Sequence, residues 1–248
     1  MADNRKKQER DELHRTIWGI ANDLRGSVDG WDFKQYALGM LFYRYISENF
    51  ANYINDGERE AGDADFDYAQ LSDSDAEQAR DDLIKTKGFF ILPSQLFCSV
   101  RSRAPLDENL NETLEAVFQA IEDSAKGSDS EANFSGLFDD IDVNSNKLGG
   151  TVAERNKRLV KLMNGVGDMK LGGDNTIDAF GDAYEYLMGM YASNAGKSGG
   201  EYFTPQEVSE LLTRIAVAGT TEVNKVYEII IQTLIQGVGK IKMCTVAV

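Results

Sequence analysis

Between Asp32 and about Phe50 the apolar residues do not keep to a single stripe. Phe33, Tyr36, Ala37, Met40, Leu41, Phe42, Ile46 and Phe50 recur at helical spacing but spread over more than one face, so a helix here has to be covered on two sides. The chain is therefore expected to fold as a helical body with this segment at its centre. Tyr43, Arg44 and Tyr45 have the composition of a nucleic-acid surface, yet on a helix that is apolar nearly all round their expected place is the core.

The flanking segments offer the cover. Leu13, Ile17, Ile20 and Leu24 form one stripe over residues 8 to 25, and Gly26 and Gly30 then break the chain. Residues 55 to 75 are acidic, have little periodicity and read as a long loop, followed by a helix over about 75 to 86 that stops at Gly88. Phe89-Phe90-Ile91-Leu92-Pro93 is a short apolar run ended by proline, which suits an extended segment on the core better than a central strand. A helix from Asp107 to Ser124 turns Leu110, Leu114, Val117, Phe118 and Ile121 inward, and a turn follows at 127 to 130. Leu159, Leu162 and Met163 mark a helix around 152 to 163. Gly165 to Gly173 reads as a flexible glycine-rich connection that ends a first domain near residue 170. Phe180, Tyr184, Leu187, Met188 and Tyr191 define a further helix over 177 to 191.

Charge narrows the partners. The net charge of −15 disfavours a chain that binds nucleic acid unaided, because such affinity comes mainly from cations that neutralise phosphates. The acid is concentrated: residues 56 to 82 carry a net −9 and residues 107 to 142 a net −10, which leaves +4 elsewhere. Basic clusters survive at Arg5-Lys6-Lys7 with Arg10 and Arg15, at Arg101 and Arg103, and at Arg155, Lys157, Arg158 and Lys161. Each is expected to be a solvated helix face rather than a phosphate site. No apolar run approaches the ~20 residues that span a bilayer, and the first 25 residues are charged rather than built like a signal peptide, so a cytoplasmic address is expected. Cys98 and Cys244 fit no metal or redox spacing and are expected to be free thiols, and a lone His14 on a charged stretch is expected at the surface and leaves no basis for a zinc site.

The most informative motif is Gly199-Gly200-Glu201-Tyr202-Phe203-Thr204-Pro205-Gln206-Glu207-Val208. Thr204 and Glu207 have the spacing of a capping box, with Pro205 at the first helical position. Val208, Leu211, Leu212 and Ile215 continue at helical spacing, so one face of that helix is expected to be buried. This stretch follows Asp182-Ala183-Tyr184-Glu185-Tyr186-Leu187-Met188-Gly189, and far upstream stand Ile17-Trp18-Gly19-Ile20-Ala21-Asn22-Asp23-Leu24-Arg25-Gly26 and Tyr36-Ala37-Leu38-Gly39-Met40-Leu41-Phe42-Tyr43-Arg44-Tyr45-Ile46-Ser47. Together, over roughly residues 10 to 227, they resemble the modification (M) subunit of type I restriction-modification systems, an adenine-N6 DNA methyltransferase that uses S-adenosyl-L-methionine.

The resemblance implies a mainly α fold: a helical N-terminal domain over 1–170, the start of a Rossmann-like α/β methyltransferase domain over 171–227, and a divergent tail over 228–248. It implies that Glu201, Tyr202, Phe203, Thr204, Pro205 and Gln206 line the cofactor site near its amino-acid portion. It also implies an assembly with a specificity (S) subunit, an endonuclease (R) subunit, a second M subunit and double-stranded DNA, away from membranes. The chain departs from the family after a strand expected at Val223 to Tyr227. Where the family continues with D-P-A-C-G-S-G, this chain reads Glu228-Ile229-Ile230-Ile231-Gln232-Thr233-Leu234-Ile235-Gln236-Gly237. The acceptor motif [DN]-P-P-[FY] cannot occur, because the only prolines are Pro93, Pro105 and Pro205. No catalytic residue is therefore assigned, and a truncated or frame-shifted M subunit, inactive alone, is expected. The alternative is a noncatalytic helical module that binds the S subunit or DNA. Phosphate-loop decoys at Gly196-Lys197-Ser198 and Gly239-Lys240 lack the earlier glycine, with Tyr191 and Leu234 in its place.

Overall fold

The computed structural model describes residues 2–24, 30–171 and 179–192, together with the isolated positions Leu211 and Ile215. Helix α1 runs over Ala2–Leu24 and α2 over Gly30–Glu60. Two short helices, α3 at Asp73–Ala76 and α4 at Arg80–Lys87, precede α5 at Phe97–Arg103. Then come α6 at Leu110–Ser124, α7 at Glu131–Phe134, α8 at Val152–Asp168 and α9 at Ala179–Ala192. The described residues are helix, 3-10 turn and loop, with no strand among them, and none of their helices is long and apolar enough to cross a membrane.

The central helix is α2, about 46 Å long at 1.5 Å per residue. It packs against α5, α8 and α9. Tyr36, Ala37, Met40, Leu41, Tyr43, Ile46 and Phe50 are all buried, with Phe42 half-buried against the core. The two-sided burial foreseen from the sequence is what the fold has. Tyr43 is fully enclosed between the edges of Phe97 and Phe118, and its hydroxyl donates to the carbonyl of Gln95 at 2.6 Å. That burial pushes its phenol pKa well up.

Two segments differ from the sequence reading. Residues 55 to 75 are not a long loop, since α2 continues to Glu60, a 3-10 turn covers Tyr68–Gln70 and α3 follows. Their apolar residues are sparse but well spent: Ile54 packs on the core, Tyr68 is buried, and Asn55 accepts the Tyr68 backbone N–H at 2.8 Å. The acids face water, which hides the periodicity. Nor does a loop begin at Gly165, because α8 runs on to Asp168 with Gly165 and Gly167 inside it. A Cβ on Gly165 would lie 2.4 Å from Ile20 Cγ1, and one on Gly167 2.3 Å from an Arg101 guanidinium nitrogen. These glycines let α1 and α5 approach the α8 backbone closely, and their helical propensity is overridden by packing.

The Gly165 contact is testable. In an open helix, Gly→Ala adds up to about 1 kcal/mol, but here the new methyl has to displace a buried, β-branched Ile20. Gly165→Ala is expected to destabilise the protein by about 1–2 kcal/mol in urea unfolding, and Gly165→Ala with Ile20→Ala to cost less than the two single changes added. An additive double variant would show that the two side chains do not meet.

Other boundaries agree with the sequence to within a turn. Gly88 ends α4 in a left-handed conformation at φ +83°, its N–H on the carbonyl of Ile84 at 2.7 Å. Asp107 lies outside α6 but satisfies its start, accepting from the Asn109 N–H at 2.9 Å and the Thr113 hydroxyl at 2.7 Å. Thr151 and Glu154 form a reciprocal capping box on α8. Phe89 to Leu92 forms neither helix nor strand and is mostly buried, with Leu92 extended and a 3-10 turn opening at Pro93.

Candidate functional site: the docked approach helix

Glu201, Tyr202, Phe203, Thr204, Pro205 and Gln206, the residues assigned from sequence to a cofactor site, lie outside the described residues, as do the Val223 to Tyr227 strand and the tail from 228. Leu211 and Ile215 are helical but 57% and 63% exposed, which corrects the burial expected of these two, while Val208 and Leu212 of the same stripe lie outside the described residues. Periodicity marks which face of a helix is apolar, not what covers it.

The described helix nearest that segment in the chain is α9, which leads toward it. It packs against both α1 and α2, with Ala179, Ala183 and Leu187 buried at the contact. On the α2 side, Phe180 stacks on Tyr45 with ring centroids 4.1 Å apart. Tyr45 stays 41% exposed, whereas Tyr43 and Arg44 are buried. Within this trio only the outer tyrosine meets solvent, and that ring is already partnered.

On the α1 side two contacts recur one helical turn apart. Arg10 Nε donates to both carboxylate oxygens of Asp182, at 3.1 and 3.0 Å. One turn on, the His14 imidazole lies flat on the Tyr186 ring, 3.9 Å between centroids and 12° between planes. Residues 10 and 14 therefore face residues 182 and 186, so α9 runs parallel to α1. His14 is corrected from a surface histidine to a half-buried interfacial one. Burial pushes its pKa below the ordinary value and Arg10 adds to that push, while Asp182 and Asp11 pull the other way. The sequence reading did not pair these residues, although the matching i, i+4 spacing in both helices was available as a signal.

The basic clusters are largely engaged within the protein. Arg101 pairs with Asp168 and donates to Asn164 at 3.2 Å. Arg103 donates to the carbonyl of Ser94 at 2.6 Å. Arg155 reaches the carbonyl of Gly149 at 3.1 Å, and Arg158 that of Leu148. Arg44 caps the end of α8, donating to the carbonyls of Val166 and Met169 at 2.7 Å each. The arginines thus act chiefly as internal fasteners.

Comparison with known proteins agrees with this architecture. Residues 13–166 match the HsdM N-terminal domain model and residues 175–233 the N-6 DNA Methylase model. The chain is 46% identical over 235 residues to the type I restriction enzyme MpnII methylase subunit of Mycoplasma pneumoniae, covering 91% of this chain and 43% of that protein. It is 20% identical over 210 residues to the MjaIX methylase subunit of Methanocaldococcus jannaschii, covering 82% of this chain and 35% of that one. The crystal structure of a type I restriction-modification methyltransferase subunit from Streptococcus thermophilus superposes with a TM-score of 0.69 at 30% identity, over 85% of this chain and 44% of the other. The chain thus spans less than half the length of these relatives. With its helical N-terminal body and methylase-type continuation, it belongs to the family of type I restriction-modification methylase (M) subunits.

Proposed function

We propose that this chain forms the helical body and cofactor entry of a subunit that transfers the methyl group of S-adenosyl-L-methionine to adenine N6 in double-stranded DNA. Target choice falls to a specificity (S) subunit. A second M subunit and an endonuclease (R) subunit complete the cytoplasmic assembly. The observation that carries this reading is the match of residues 175–233 to N-6 DNA methylases, a stretch that contains Glu201 to Gln206 downstream of the docked α9. The proposed division is 1–170, 171–227 and a tail over 228–248.

In this reading Glu201, Tyr202, Phe203, Thr204, Pro205 and Gln206 form the amino-acid end of the cofactor site. The hydroxyl and backbone N–H of Thr204 meet the cofactor carboxylate at the positive end of the helix beginning there, and Tyr202 and Phe203 shield its sulfonium centre. Delegating DNA recognition to the S subunit fits a net charge of −15, since the partner then supplies the phosphate contacts. The 248 residues contain no [DN]-P-P-[FY] acceptor motif, so this polypeptide alone holds no flipped adenine against the methyl donor. On its own it acts as a noncatalytic module that engages the S subunit.

Calorimetric titration with S-adenosyl-L-methionine tests the half-site. Binding is expected to weaken about tenfold or more in Thr204→Ala, the scale of one hydrogen bond to a charged group. Equal binding by both proteins removes Thr204 from the site. Incubation with labelled cofactor and DNA is expected to transfer no methyl, and catalytic labelling by this chain alone would overturn the division of labour.

A further inference from the structure

The two rungs between α1 and α9 differ in chemistry. The first is the Arg10–Asp182 ion pair, with the Arg10 pKa raised first of all by its hydrogen bonds to Asp182. The other rung is a stack of two rings, the His14 imidazole on Tyr186. His14 is the only histidine in the chain. Its flat contact with Tyr186 covers one imidazole face, and Arg10, a turn away on the same helix, already takes both oxygens of Asp182. A proton on His14 would place a second cation beside Arg10 in a half-dry contact whose nearest α9 carboxylate is already paired. Asp11 on α1 and Glu185 on α9 are the other charges at this contact, and the end of α8 adds the Lys170–Glu12 pair at 2.9 Å.

We propose that His14 and Arg10 form a two-point clasp that holds α9 onto α1, and that acidification loosens it through His14, freeing the helix while the rest of the body stays folded. On the α2 side the contact is the stack of Phe180 on Tyr45, which involves no histidine. The methylase-type match begins at residue 175 and so includes α9. Alpha-9 belongs to the methylase segment by sequence and to the helical body by packing.

The direction in pH follows from which state takes up the proton more readily. With the docked pKa below that of a free imidazole, the undocked state protonates first. The clasp is therefore complete above the free value of about 6.5 and is lost as pH falls through the docked value.

Amide hydrogen exchange on the full chain, corrected for intrinsic rates, reads the clasp directly. Between pH 7.5 and 5.5 the protection of residues 179–192 is expected to fall at least about threefold relative to α6, whose amides act as the internal folding control. His14→Phe keeps a ring on Tyr186 and removes the proton, so its α9 protection is expected to be flat over this range. Tyr186→Leu removes the stack from the other side and is expected to abolish the same pH response, which keeps the test available if the His14 variant folds poorly. Arg10→Asp is expected to loosen α9 at every pH, and addition of Asp182→Arg to restore it. A pH-flat wild type, a His14→Phe chain with the wild-type response, or equal loss in α6 and α9 would overturn the clasp.

Discussion

Arg44→Met is expected to destabilise the protein by about 3 kcal/mol, the largest effect of any single polar substitution in the described body. Arg44 is only 9% exposed, and its side chain holds three acceptors: the carbonyls of Val166 and Met169, and Glu48 through Nε at 2.6 Å. Methionine keeps an apolar stem of similar length, so the loss is that of donors rather than volume. The Met169 carbonyl then loses its donor and the Val166 carbonyl keeps only the Met169 N–H at 3.3 Å, and a buried group left without a partner costs about 1–3 kcal/mol when water cannot reach it. The negative end of the α8 dipole also loses its cation. For a protein of this size the melting temperature is expected to drop by roughly 6–12 °C. Arg44→Lys is expected to recover only part of this, because an ammonium is not a planar fork and sheds hydration less readily. A change below about 0.5 kcal/mol for Arg44→Met would mean that the α8 carbonyls find other donors.

Arg44 also marks the limit of what the sequence discloses. Its position on a doubly apolar helix foretold burial, and burial is what the structure has. Nothing local foretold its two carbonyl partners, which lie more than 120 residues away at the end of a helix that extends several residues beyond the sequence expectation. The cause of that short reading is physical. Gly165 and Gly167 look like a break because glycine lowers helical propensity, but whether a glycine breaks a helix or admits a neighbour depends on what lies opposite. Here Ile20 and Arg101 lie opposite. The helices with strong single-face periodicity were legible for the converse reason: in α6, Leu110, Leu114, Val117, Phe118 and Ile121 report burial without reference to anything distant.

The functional segment divides in the same way. The proposed cofactor role of Glu201 to Gln206 rests on resemblance alone, carried by contiguous residues that lie outside the described structure. The clasp that docks the helix before them could not be read from contiguous residues, because Arg10 with Asp182 and His14 with Tyr186 are contacts over 172 residues of sequence. Arg10 was visible only as one member of a basic cluster and Asp182 only as part of a motif. Their pairing is a property of the packed helices α1 and α9.

Phe50→Ala is expected to cost about 3–5 kcal/mol, within the range for removing a fully enclosed aromatic ring. Phe50 is completely buried on the second half of α2, where three rings surround it: Tyr68 at 5.7 Å, Phe89 at 5.3 Å and Phe90 at 5.9 Å between centroids. Tyr68 and Phe90 meet it edge-to-face, a geometry that adds to area burial. The rings come from segments without regular periodicity, so Phe50 is what converts an acidic connection and an extended run into parts of one core. Tyr68 is pinned by its hydroxyl on the Ile91 carbonyl at 2.8 Å and its N–H on Asn55, and Phe90 by its N–H on the Ser124 hydroxyl at 2.9 Å. These bonds restrain the wall from collapsing into the space a missing ring leaves, which places the expected loss toward the upper part of the range. Phe50→Leu is expected to cost distinctly less, because it keeps most of the volume. Urea unfolding of both variants separates cavity from contact: equal losses would mean that the ring geometry rather than the space it fills holds residues 66–92 to α2.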